Sequence, residues 1–160
     1  MTLAVTVIRH WKERISKCSL RFLHGREGFT FLRARPDFHF DASGFTVLAV
    51  DAPPLSPADA QRPLLVLDST WRHLPALLRG IAGSPARRSI PGAVRTAYPR
   101  QSRLFEDPPT GLASLEALYV ALRVLGHDDR TLLDGYHWKD AFLAGLDRGE
   151  FVVGIPGGGA

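Results

Sequence analysis

At 160 residues, with 45% hydrophobic and 22% charged residues, the chain can bury one sizeable core and fits neither the disordered nor the fibrous class. No apolar run approaches the roughly 20 residues that span a bilayer. The apolar run over residues 1–8 is expected to be too short for a secretory signal, and the basic residues follow it instead of preceding it.

Cys18 is the only cysteine, so no internal disulfide can form, and the expected compartment is the cytoplasm. The net charge of +4 conceals a segregation by sign. Between Asp68 and Glu106 there is no acid, yet Arg72, Arg79, Arg87, Arg88, Arg95, Arg100 and Arg103 all lie there. The first 35 residues are basic as well, whereas from Leu104 onward nine acids oppose four bases. Clustered arginine suits a polyanionic partner, because it neutralises phosphates and releases counterions. Nucleic-acid-binding candidates are Arg72, Arg87, Arg88, Arg95, Arg100 and Arg103.

Residues 2–8 are rich in β-branched side chains and predict a first strand ending at Arg9-His10. A short helix is expected over 18–23, a short strand over 29–32 and a clear strand over 45–50. Ser56-Pro57 opens a turn or a single helical turn, with Pro57 at its first position. Leu64 to Asp68, four of the five residues apolar, reads as a strand buried on both faces of a parallel sheet. Asp68-Ser69-Thr70-Trp71 then forms the strand-to-helix turn, and a helix follows over 73–81 with Pro75 tolerable only in its first turn. Another strand is expected over 89–94 and a loop over 96–109. Residues 111–125 form a helix apolar on nearly every side, hence buried. A short helix or turn over 127–135 precedes an amphipathic helix over 136–147 that aligns Trp138, Phe142 and Leu146. Residues 154–160 form a glycine-rich tail expected to be disordered. Residues 1–153 thus read as one α/β domain with a helical C-terminal part.

The six histidines and the one cysteine show no metal-ligand spacing, and no metal is expected. Nor is there a phosphate-binding glycine loop or a Gly-x-Ser-x-Gly elbow. Two acids stand out. Asp68 lies at a strand's carboxyl end, where ligands of open α/β sheets collect. Glu116 is the one acid in an apolar helix, where a carboxylate needs either a cationic partner, with Arg123 the structural candidate, or a role as proton acceptor. Leu55, Pro57 and Trp71 offer flat apolar surface that can enclose an aromatic ring, or pack as core.

Several stretches together resemble one superfamily. Asp68-Ser69-Thr70-Trp71 matches the Asp-x-Thr-Trp motif of the DTW-domain proteins, and the run from Leu112 to Ala117 is similar to their Leu-Ser-Thr-x-Glu-Ala helix start. Lys17-Cys18-Ser19, the run from Leu55 to Asp59 and the run from Tyr136 to Leu143 resemble the related aminocarboxypropyltransferases of small-subunit ribosomal RNA. The matches keep the family's order and cover about residues 10 to 151.

The resemblance implies a SPOUT-like parallel sheet with a C-terminal trefoil knot. It also implies transfer of the 3-amino-3-carboxypropyl group of S-adenosylmethionine to N3 of a uridine or pseudouridine in rRNA or tRNA. Carried over by position, Leu55, Pro57 and Trp71 enclose the adenine, while Ala93, Val94, Ala97, Leu112 and Ser114 hold adenine and ribose through backbone groups. Ser19 stands near the donor's carboxylate, and Asp68 and Glu116 are the candidate catalytic acids. His137 and Lys139-Asp140 depart from the ribosomal pattern, as does Tyr98-Pro99 where that group has Asn-Pro. The alternatives are an RNA methyltransferase on the same fold and a non-catalytic RNA-binding protein. A monomer without membrane attachment is expected.

Overall fold

The structure, a computed structural model, describes residues 4–14, 19–49, 52–69, 72–90 and 114–147, and of Ser19 and Ser114 only the backbone. Among these, β1 (Val5–His10), β2 (Phe29–Ala34), β4 (Thr46–Leu48), β5 (Leu64–Asp68) and β7 (Ala86–Arg88) form one sheet in the order β2-β1-β5-β4-β7. Every pairing in it is parallel. Two shorter strands, β3 (Phe40–Asp41) and β6 (Ile81–Ala82), pair separately, also in parallel.

Side-chain alternation divides the core into two layers. Val5 and Val7 of β1 and Leu64 and Val66 of β5 point to one face, where α2 (Ser114–Val124) and α3 (Lys139–Asp147) cover them. Ile8 and Leu65 point to the other face and pack with Ala34, Ala42, Val47 and Leu77 of α1 (Leu74–Arg79). Helices on both faces explain why β1 and β5 read as continuous apolar runs. The sheet is thus α/β and sandwiched, as expected.

Helix α2 is buried almost all round, with Leu115, Leu118, Tyr119, Val120, Ala121, Leu122 and Val124 inside. It ends in a glycine cap: Gly126 takes φ +97, and the His127 N–H donates to the Leu122 carbonyl at 2.7 Å. The Tyr119 hydroxyl donates to Asp128 Oδ1 at 2.8 Å, and burial, followed by that carboxylate, pushes its pKa up to about 12. Helix α3 starts at Lys139 and not at the expected 136; in it Phe142 meets Tyr119 edge-on, with centroids 6.1 Å apart, and Leu146 is buried, while Trp138 just ahead of the helix packs against the same core.

Some boundaries differ from expectation. Strand β7 starts three residues before the strand predicted over 89–94; Ser89 makes an isolated bridge to Pro54, and residues 91–94 lie outside the described set. Ile81, expected to end a helix, belongs to β6, because α1 stops at Gly80. A Cβ at Gly80 would stand 2.7 Å from the Phe38 carbonyl oxygen, so the close approach of these backbones requires glycine. The short helices over 18–23 and 127–135 are 3-10 turns, Ser19–Leu23 and Arg130–Leu133. The tail at 154–160 lies outside the described residues. Among the described residues no helix is long and apolar enough to cross a membrane.

Candidate active site

Neighbouring strands β1 and β5 send their connections to opposite sides of the sheet. From β1 the next strand in the chain, β2, lies to one side, whereas from β5 the chain passes to β7 beyond β4. Such a reversal opens a crevice at the carboxyl ends of the two strands, the usual ligand position in open α/β sheets.

Register places Arg9 and Asp68 side by side at that crevice. Alternation turns both toward the face covered by α2, the face of Val5, Val7, Leu64 and Val66. Arg9 Nε stands 3.9 Å from Asp68 Oδ2, with both side chains about nine-tenths buried (9% and 12% exposed). Two charges withdrawn from water at that depth lose several kcal/mol each, and only close pairing offsets the loss. At 3.9 Å the pairing is incomplete: Arg9 Nε is buried with no hydrogen-bond acceptor. The guanidinium's far side is occupied, since Arg9 Nη2 lies 3.1 Å from His24 Nε2.

His10 points to the opposite face. It is buried and stacks almost parallel on His73, centroids 4.4 Å apart at 8°. Its Nδ1 accepts the Lys12 N–H at 3.1 Å, which leaves the ring proton on Nε2. Burial first, then neighbouring His73, pushes the imidazole below its ordinary value of 6.5. The folded protein therefore keeps His10 neutral where the unfolded chain already takes up a proton. Above pH 6.5 this group leaves stability unchanged; below it, stability falls until the lowered folded value is passed. Denaturant unfolding at about pH 7.5 and about pH 5.5 should show that loss in the wild type and a smaller one in His10→Asn. Equal losses in the two proteins would assign the titration to another group.

The remaining expected site residues separate. Glu116 is fully buried in the first turn of α2, on the face that carries Arg9 and Asp68, while Arg123 lies 3.9 Å from Asp128. Leu55 is 2% exposed and packs in the main core, and Pro57 is exposed at the head of the 3-10 turn Pro57–Gln61. Asp59, in the same motif, is buried and accepts the Ser56 N–H at 3.0 Å and Arg88 Nε at 3.2 Å, with Arg62 paired to it as well. Arg88 is thereby tied into the fold, whereas Arg72 and Arg87 are exposed. Trp71, Ala93, Val94, Arg95, Ala97, Arg100, Arg103 and Leu112 lie outside the described residues. Sequence reasoning marked Arg9-His10 as a strand end but assigned neither residue to the site. The available signal was that two strands of a parallel sheet end in opposite charges.

No family model and no curated protein matches the chain. Among solved structures, that of the SAM-dependent rRNA acp-transferase Tsr3 from Vulcanisaeta distributa is similar at 20% identity and a TM-score of 0.68. The match covers 94% of this chain and 82% of that one. This chain shares the fold of that structure.

Proposed function

We propose that the chain transfers the 3-amino-3-carboxypropyl group of S-adenosylmethionine to N3 of a uridine or pseudouridine in RNA, with rRNA favoured over tRNA. One observation carries the reading: the acid of the Asp-x-Thr-Trp motif stands at the switch point of a sheet that the chain shares with an rRNA acp-transferase.

The residues at the crevice fit the donor. Arg9 Nε, buried without an acceptor, suits the carboxylate of its amino-acid arm, and Asp68 suits its ammonium or the proton released by the base. When bound, the donor supplies a sulfonium-activated methylene carbon. The N3–C bond forms as the C–S bond breaks, methylthioadenosine leaves, and the N3 proton passes to a carboxylate, for which Asp68 is the first candidate and Glu116 the second. Because the electrophile is already activated, the chain acts mainly by positioning, worth roughly 7–11 kcal/mol in the best-oriented systems. In this proposal Leu55, Pro57 and Trp71 flank the adenine, with Ala93, Val94, Ala97, Leu112 and Ser114 along the nucleoside and Ser19 near the arm. The trefoil knot of the family belongs to the same proposal.

Incubation of the protein and RNA with donor labelled at the carboxyl carbon, and in parallel at the methyl group, tests the reading. Carboxyl label in the RNA is the expected result. Methyl label alone makes the chain a methyltransferase, and RNA binding with neither label makes it a binding protein.

A further inference from the structure

We propose that the cleft outside the carboxyl ends of β1 and β2 holds one unpaired nucleotide of the RNA, its base against His24 and its phosphate beside Arg14 and Arg33. This rests on the RNA substrate proposed above and adds where that substrate sits.

The cleft encloses about 540 Å³ and is lined by Arg9, Arg14, Arg33, His24 and Phe31, with Glu13 the one acid among its lining residues. Its size falls in the range of ordinary small-molecule sites. Register sets Arg9 directly beside Arg33 and Val7 beside Phe31. Period-two alternation turns Phe31 and Arg33 to the face that carries Arg9. Like charges in direct cross-strand register repel, and an anion between them removes the repulsion. Arg33 is positioned by its own hydrogen bond, Nη2 to the Trp11 carbonyl at 3.0 Å, and Arg14 is exposed at the rim.

Beside this anion site stands a stacking platform. His24, exposed, lies on Phe31 with centroids 3.8 Å apart and planes 20° from parallel, and Phe31 is anchored against the main core. A guanidinium can only donate, so the 3.1 Å contact with Arg9 Nη2 makes His24 Nε2 an acceptor and leaves its proton on Nδ1. The result is an exposed ring of fixed orientation with one face covered by Phe31. Single-stranded bases stack on such rings whatever their identity. Arg14 and Arg33 suit an anionic phosphate rather than a sulfonium, while the donor's carboxylate is assigned to Arg9 Nε on the Asp68 side of that guanidinium. Arg9 links the two places: its Nε faces Asp68 and its Nη2 holds His24, so a base on His24 lies one guanidinium from the candidate proton acceptor.

The full chain is cross-linked to a single-stranded RNA oligonucleotide containing 4-thiouridine. RNA affinity by fluorescence anisotropy and S-adenosylmethionine affinity by calorimetry are then measured for the wild type, His24→Ala, His24→Phe and the double variant Arg14→Ala/Arg33→Ala. The expected adducts lie on His24 or Phe31. His24→Ala should weaken RNA binding by roughly tenfold to a hundredfold, and His24→Phe should restore it. The double variant should flatten the dependence of log K on log salt by about 1.4, from about 0.7 per cation removed. Donor affinity should not change in the double variant, which leaves Arg9 and its His24 contact in place. Adducts elsewhere with RNA affinity intact in every variant overturn the cleft assignment and leave the transfer reading standing. Loss of donor affinity in the double variant makes the cleft the donor's pocket and overturns the assignment too. RNA bound in the cleft without any transfer supports the assignment and removes the transfer reading, while a wild type that binds no RNA removes both.

Discussion

Asp68→Asn is expected to lower the single-turnover rate of transfer by roughly 10²–10⁴-fold while RNA and donor still bind. That loss corresponds to about 2.7–5.5 kcal/mol of transition-state stabilisation. Asparagine keeps the shape but cannot take the N3 proton. It also leaves Arg9 buried without its opposite charge, a destabilising change, so the rate must be read at a temperature where the variant is folded. Rapid-quench kinetics at saturating donor and RNA, beside an unfolding curve, separates the two effects. A rate equal to wild type would reduce Asp68 to a counterion of Arg9 and pass the proton-acceptor role to Glu116.

Phe142→Ala is expected to cost about 3–5 kcal/mol in urea unfolding, a large share of the 5–15 kcal/mol that typically holds a domain together. The ring is fully buried, meets Tyr119 edge-on, and joins α3 to α2 over the sheet face that carries Arg9 and Asp68. Removing it opens a cavity between the two helices that the neighbours fill only in part. A loss below about 1 kcal/mol would mean that α3 does not dock there.

The central elements were legible in sequence because their burial is written locally. The apolar run of β5, the β-branched run of β1 and the nearly all-apolar α2 each carry their own signal, and Phe142 and Leu146 mark the inner face of α3, with Trp138 just ahead of it. Strand β7 was not read because it bears Arg87 and Arg88 and, among the described residues, lies at the sheet's edge, so it carries little apolar signal. The two-residue strands β3 and β6 offer no period to read.

The site was legible only in part. Asp68 and Glu116 announced themselves as acids in apolar settings, and both are buried. The partner of Asp68 did not, because Arg9 lies far away in sequence and meets it only through the strand order β2-β1-β5. For the same reason the row Arg33, Arg9, Asp68 across three strands, and the stack of His24 on Phe31, could not be found by spacing.

The most direct measurement is a crystal structure of the protein soaked with S-adenosylmethionine. The account predicts the donor at the crevice between β1 and β5, its carboxylate on Arg9 and its methylene carbon turned toward the His24 side of that residue. A donor bound away from the carboxyl ends of these strands, or none bound at all, would contradict it.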